Sequence, residues 1–85
     1  MDKIDKFFKG LYASGIDFPN WEHSERVIGD QVFYEFTFSY KIAGRTYKFV
    51  DETAIDREDH PVDIGEVCRN HFESKKRIYD KNTNA

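Results

Sequence analysis

The sequence predicts an α+β two-layer sandwich: two amphipathic helices covering one face of a three-stranded antiparallel meander, in the order α-β-β-β-α. Apolar residues recur at helical spacing near both ends of the chain. Between Trp21 and Ile55 they alternate with polar residues instead, and that stretch is broken twice by glycine-bearing turns.

In the opening segment, Ile4, Phe7, Phe8, Leu11 and Tyr12 share one helical stripe, with Lys3, Lys6 and Lys9 off it. Asp2 is placed to cap this helix and Gly15 to end it in a left-handed turn. Gly10 inside the pattern costs about 1 kcal/mol relative to alanine, so the helix depends on packing rather than on propensity.

Val32, Tyr34, Phe36, Phe38, Tyr40 and Ile42 then occupy one face of a central strand, with Phe33, Glu35, Thr37, Ser39 and Lys41 on the other. Ile28-Gly29-Asp30-Gln31 offers a two-residue turn that sets Val27 opposite Val32, His23 opposite Phe36 and Trp21 opposite Phe38. Ala43-Gly44-Arg45-Thr46 offers a second, with Gly44 first as type II′ requires. It sets Ile42 opposite Tyr47, Tyr40 opposite Phe49 and Tyr34 opposite Ile55. The face bearing Ser24, Arg26, Glu35, Thr37, Lys41 and Lys48 is expected to be solvated, Phe33 and Val50 being its apolar exceptions.

Asp63 and Glu66 have capping-box spacing, and Val62 and Val67 have the spacing of a hydrophobic staple. Ile64, Val67, Cys68, His71, Phe72, Ile78 and Tyr79 continue at helical spacing, so the last helix is expected to run to about Tyr79, with Lys75 interrupting its stripe. The Tyr40–Tyr47 hairpin also resembles those of small β-barrels, but the stripe after Asp63 decides against an all-β fold. Residues 1–80 are read as a single domain and 81–85 as a frayed tail.

The 85 residues leave room for one small core, to which the 16% of aromatic residues must contribute heavily. No apolar run approaches bilayer-spanning length and the amino terminus alternates charge, so a soluble, cytoplasmic protein without a membrane partner is expected. Cys68 is the only cysteine, which excludes an intrachain disulfide.

Charge is unevenly distributed. Residues 1–50 balance, whereas residues 51–66 carry Asp51, Glu52, Asp56, Glu58, Asp59, Asp63 and Glu66 against Arg57 alone, a net −6. Residues 67–85 carry Arg69, Lys75, Lys76, Arg77 and Lys81 against Glu73 and Asp80, a net +3. Such asymmetry bears on partners rather than on fold.

Chemical motifs are sparse. Asp56-Arg57-Glu58-Asp59-His60 offers carboxylates for a divalent cation or for acid–base work, but it lacks the spacing of a calcium loop and reads first as a solvated acidic loop. Cys68 and His71, three apart, could face zinc together with His60 or His23, or form a thiol–imidazole pair. Both also lie on the apolar stripe, where they are ordinary core residues, and no second cysteine supports a metal knuckle. The glycines at 10, 15, 29, 44 and 65 never cluster, so phosphate-loop and nucleophile-elbow signatures are absent. No catalytic residue, metal or cofactor is expected.

The element order, with Phe7-Phe8 on the first helix and Phe36-Thr37-Phe38 on the second strand, resembles the layout of double-stranded RNA-binding domains. That family places a Gly-Ser-Lys-Lys segment at the start of its second helix to grip phosphates. The corresponding stretch here, Asp56 to Asp63, is acidic, so the resemblance implies the layout and carries no phosphate-binding residue. In size, acidity and helix–sheet–helix layout the chain is also similar to small phage-encoded inhibitors of nucleic-acid enzymes, anti-CRISPR proteins among them.

The expected function is therefore a non-enzymatic protein-binding module, an inhibitor or adaptor, that presents residues 51–66 to a basic partner surface. The alternative is a nucleic-acid-binding domain using Arg69, Lys75, Lys76, Arg77 and Lys81, with Tyr79 and Phe33 as stacking aromatics. The free edges of the sheet leave homo-oligomerisation open under either reading.

Overall fold

The structure, a computed structural model, describes residues 2–59 and 63–83. Helix α1 (Lys3–Ala13) is followed by strands β1 (Asn20–Ile28), β2 (Gln31–Ile42) and β3 (Arg45–Asp56), a 3-10 turn (Arg57–Asp59) and helix α2 (Ile64–Thr83). The strands form one antiparallel sheet in the order β1-β2-β3, with both helices on one face. The predicted α+β meander is present.

At the start of α1, the Asp2 carboxylate accepts a hydrogen bond from the Ile4 N–H at 3.3 Å. At its end, Gly15 takes φ 70, its N–H donates to the Tyr12 carbonyl and the Ile16 N–H donates to the Leu11 carbonyl. This Schellman closure uses Gly15 as expected. Gly10 has a reason that its propensity hides, because a Cβ at that position would collide with the Tyr40 hydroxyl. The missing side chain lets α1 approach β2 closely.

Alternation along β2 builds the core. Val32, Tyr34, Phe36, Phe38 and Tyr40 are buried, and Phe7, Phe8 and Leu11 of α1 and Cys68 and Phe72 of α2 close over them. Phe72 meets Phe8, Phe18 and Phe38 at ring separations of 5.2, 5.1 and 5.4 Å. Side chains of this size each contribute roughly 1.5–3 kcal/mol through burial.

The first hairpin has the predicted register, with Val27 opposite Val32, His23 opposite Phe36 and Trp21 opposite Phe38. The second differs by two residues. Ile42 faces Arg45 rather than Tyr47, Tyr40 faces Tyr47 rather than Phe49, and Tyr34 faces Thr53 rather than Ile55. The central turn residues are Ala43 and Gly44, both left-handed at φ 51 and 79, which is the I′ pattern rather than II′. An L-residue at positive φ costs roughly 1–2 kcal/mol. Against that cost, the I′ twist matches the strands, and the register stacks the Tyr40 and Tyr47 rings at 5.0 Å and sets Phe38 beside Phe49. A shift of two keeps every side chain on its predicted face.

Helix α2 starts where the capping signals put it. Asp63 accepts from the Glu66 N–H through its side chain (3.3 Å) and from the Val67 N–H through its carbonyl (3.0 Å). Val62, the other half of the proposed staple, lies outside the described residues. The helix runs past Tyr79 to Thr83, so Lys81 to Thr83 are helical rather than frayed. Contacts with α1 hold this last stretch: the Tyr12 hydroxyl donates to Asp80 at 2.9 Å, and Tyr79 stacks against Phe8. The end of the expected tail, Asn84 and Ala85, lies outside the described residues.

Candidate functional site

Strand alternation divides the acidic segment. Asp51 lies opposite Phe36 on the helix-covered face, whereas Glu52 lies opposite Glu35 on the uncovered face, 3.7 Å from Arg26. Asp51 is a structural anion: its carboxylate is 3.0 Å from Lys75 Nζ and 3.3 Å from His71 Nε2, and it accepts from the Glu52 N–H at 2.8 Å. Burial alone would raise its carboxyl, but the Glu52 hydrogen bond, Lys75 and His71 outweigh that and hold it below the usual carboxylate range. His71 is pushed the other way. Burial lowers its imidazole and Lys75 adds to that, with Asp51 opposing only in part. Its Nε2 is buried without a hydrogen bond, so its approach to Asp51 is electrostatic rather than an aligned donor–acceptor contact.

The rest of the segment gathers at one end of the sheet. The Arg57 N–H donates to the Asp30 carbonyl and ties the end of β3 to the β1–β2 turn. Asp30, Asp56, Arg57 and Glu58 thereby line an open cleft of about 650 Å³. Asp63, spent in part on its capping bond, and Glu66 are exposed on the first turn of α2. The side chain of Asp59, and His60 entirely, lie outside the described residues. Of the seven acids singled out, Asp56 and Glu58 share the cleft, and Asp30, overlooked because it precedes the acidic run, joins them.

The basic residues of α2 do not form one surface. Lys75 is held by Asp51 on one flank of the helix. On the other, Arg69 lies over the Phe18 ring at 4.3 Å, and Lys76 is 3.9 Å from Asp17 and 5.8 Å from the Tyr12 ring centre. Arg77 and Lys81 are exposed. A different basic site forms at the opposite end of the molecule from the acidic cleft. There Lys3 and Lys6 of α1 and Lys48 of β3 surround a groove of about 420 Å³ floored by Phe7, Tyr40, Tyr47 and Phe49. Its signal was present in the sequence as lysines off the α1 stripe and a lysine between Tyr47 and Phe49, but only the β3 register joins them.

Cys68 is fully buried in the core, and burial pushes its thiol up to about 12, against a smaller lowering by Arg69. With His71 turned to Asp51, the two do not form a nucleophile pair or the start of a zinc shell. Among the described residues no three His, Cys, Asp or Glu side chains are grouped to hold a metal ion, and no described helix is long and apolar enough to cross a membrane. Comparisons with protein-family models, curated proteins and solved structures find no match to this chain.

Proposed function

We propose that the protein is a non-enzymatic protein-binding module, an inhibitor or adaptor, that docks its acidic end on a basic groove of a partner, such as one that accepts nucleic acid. The observation that carries this reading is the convergence of Asp30, Asp56 and Glu58 on one open cleft by the Arg57–Asp30 backbone tie. Charge gathered in this way steers association with an oppositely charged surface and fixes its orientation. Asp51 and Glu52 are not part of the contact surface in this reading, because each already faces a cation within the fold.

The test is affinity capture from nuclease-treated lysate with the wild-type chain and with the charge-reversed D30K/D56K/E58K variant, each at low and high salt. The reading expects a near-stoichiometric protein that binds the wild type, is released by salt and is lost from the variant. Equal retention by the variant would refute it. A second reading rests on the Lys3–Lys6–Lys48 groove, whose aromatic floor and cationic rim suit a phosphate-bearing strand. It expects RNA or DNA affinity that falls steeply with salt and is abolished in K3E/K6E/K48E. Retained affinity in that variant excludes the groove.

A further inference from the structure

Among the described residues strand β1 is an edge of the sheet along its whole length, and apart from the half-buried Trp21 its helix-side residues are poorly covered. Val27 is 56% exposed, and His23 and Glu25 are exposed beside it. Because a two-residue turn closes on the hydrogen-bonded pair Ile28–Gln31, the ladder to β2 uses the even-numbered residues of β1. The N–H and C=O groups of Trp21, His23, Glu25 and Val27 therefore point away from the sheet. An edge of this kind is a template for another strand.

The order of residues along β1 states which strand. Counted outward from Ser24, the chain reads His23, Glu22, Trp21 in one direction and Glu25, Arg26, Val27 in the other. We propose that β1 pairs antiparallel with β1 of a second copy about a two-fold axis at Ser24, making a continuous six-stranded sheet. In this register Glu22 faces Arg26 of the other copy, His23 faces Glu25, and Trp21 faces Val27, each pair occurring twice. The odd-numbered residues with free backbone groups meet one another, as the ladder requires, and both copies keep their helices on the same side. Charged residues on an edge strand ordinarily discourage pairing, but here each acid meets a basic side chain. Within one copy Arg26 lies 3.7 Å from Glu52 and His23 3.4 Å from Glu25, both between exposed residues, so in the dimer Arg26 is shared between Glu52 and the second copy's Glu22, and His23 between the two copies' Glu25.

Neighbouring symmetric registers lose this match. Centring on His23 sets Trp21 against Glu25 and leaves Arg26 opposite Asn20, whereas centring on Glu25 brings two glutamates face to face. The other edge, β3, serves less well. Its best symmetric register, centred on Val50, pairs Lys48 with Glu52 but sets the Asp51 carboxylate against the apolar Phe49 ring. The β1 contact is separate from both the acidic cleft and the lysine groove, so its failure leaves those readings untouched.

Sedimentation equilibrium and disulfide trapping test the pairing. The wild type is expected to dimerise reversibly. R26E, which sets acid against acid twice, should raise the dimer dissociation constant by about tenfold or more, and the E22R/R26E exchange should restore it. Ser24 and its symmetry mate form a non-hydrogen-bonded pair with Cα atoms about 4.5 Å apart, within disulfide reach. S24C should therefore oxidise to a covalent dimer under mild conditions, while R26C, placed against Glu22 instead, should not. Cys68 is buried and serves as the silent internal control. A chain that stays monomeric to millimolar concentration overturns the proposal and leaves the edge to another protein's strand. A dimer unaffected by R26E and not trapped by S24C overturns it equally, by placing the contact elsewhere.

Discussion

Strands β1 and β2 lie side by side and share one ladder, yet their helix-facing residues have opposite environments. On β2, Val32, Tyr34, Phe36 and Phe38 are sealed to 1% exposure or less, whereas on β1 Val27 is open to 56% and Glu25 is exposed. The helices account for the difference. Phe7 of α1 packs on Tyr40 and Phe49, and Phe72 of α2 packs on Phe38, so the covering layer is centred on β2 and β3. In a chain this small two helices can roof only part of the sheet, and one strand supplies the core while its neighbour supplies a surface.

The contrast is sharpest under truncation. Phe36→Ala should cost about 3–5 kcal/mol by urea denaturation, since the void lies under α2 with no room to collapse. A loss below about 1 kcal/mol would show that β2 is not the centre of the core. Next in size, Gly10→Ala should cost about 1–3 kcal/mol by driving α1 off Tyr40. Most of that loss should disappear when Gly10→Ala is introduced into a Tyr40→Phe background, which removes the hydroxyl in the way.

A smaller effect follows from the Asp51–His71–Lys75 cluster on the covered side. The unfolded chain binds a proton at His71 near pH 6.5, whereas the buried imidazole resists it to lower pH. The contribution of His71 to stability is therefore fully present above that value and is lost as the pH drops through the window below it. His71→Gln should flatten this stretch of the pH–stability curve, and an unchanged curve would show that His71 is not the titrating group. Asp51 acts at lower pH: its depressed carboxyl contributes stability above the ordinary carboxylate range that is lost as acid protonates it. The smallest effect belongs to β1, where Val27→Thr should change monomer stability by no more than about 0.5 kcal/mol. A larger loss would mean that the β1 face is packed in solution.

The fold was readable because period and punctuation agreed. The stripe from Ile4 to Tyr12, the alternation from Val32 to Ile42 and the cap at Asp63 each specify one element, and the one contrary propensity, Gly10 within α1, is outweighed by the packing of that stripe. The second hairpin departs from its sequence signal where a residue departs from its usual preference: alanine at positive φ is rare, so the pattern puts Gly44 first in the turn, whereas it is second after Ala43. Helix α2 outruns its apolar stripe because its last turns are held by Tyr12, a contact between distant parts of the chain that local spacing does not encode. The candidate site was only half readable. Net charge per segment found the acidic region, but the period of two that separates Asp51 from Glu52 had to be applied within it. The α2 bases fail for the matching reason: at 100° per residue, positions 69, 75 and 81 do not share a face.

Cys68, fully buried on the core side of α2, has a practical consequence. Thiol reagents attack the thiolate, and the folded chain offers neither access nor ionisation. Alkylation at neutral pH must wait for the core to open, so the labelling rate counts openings of that core without any added probe. A single thiol, inert in the native state, thus gives each variant above an internal clock against which its loss of stability can be read.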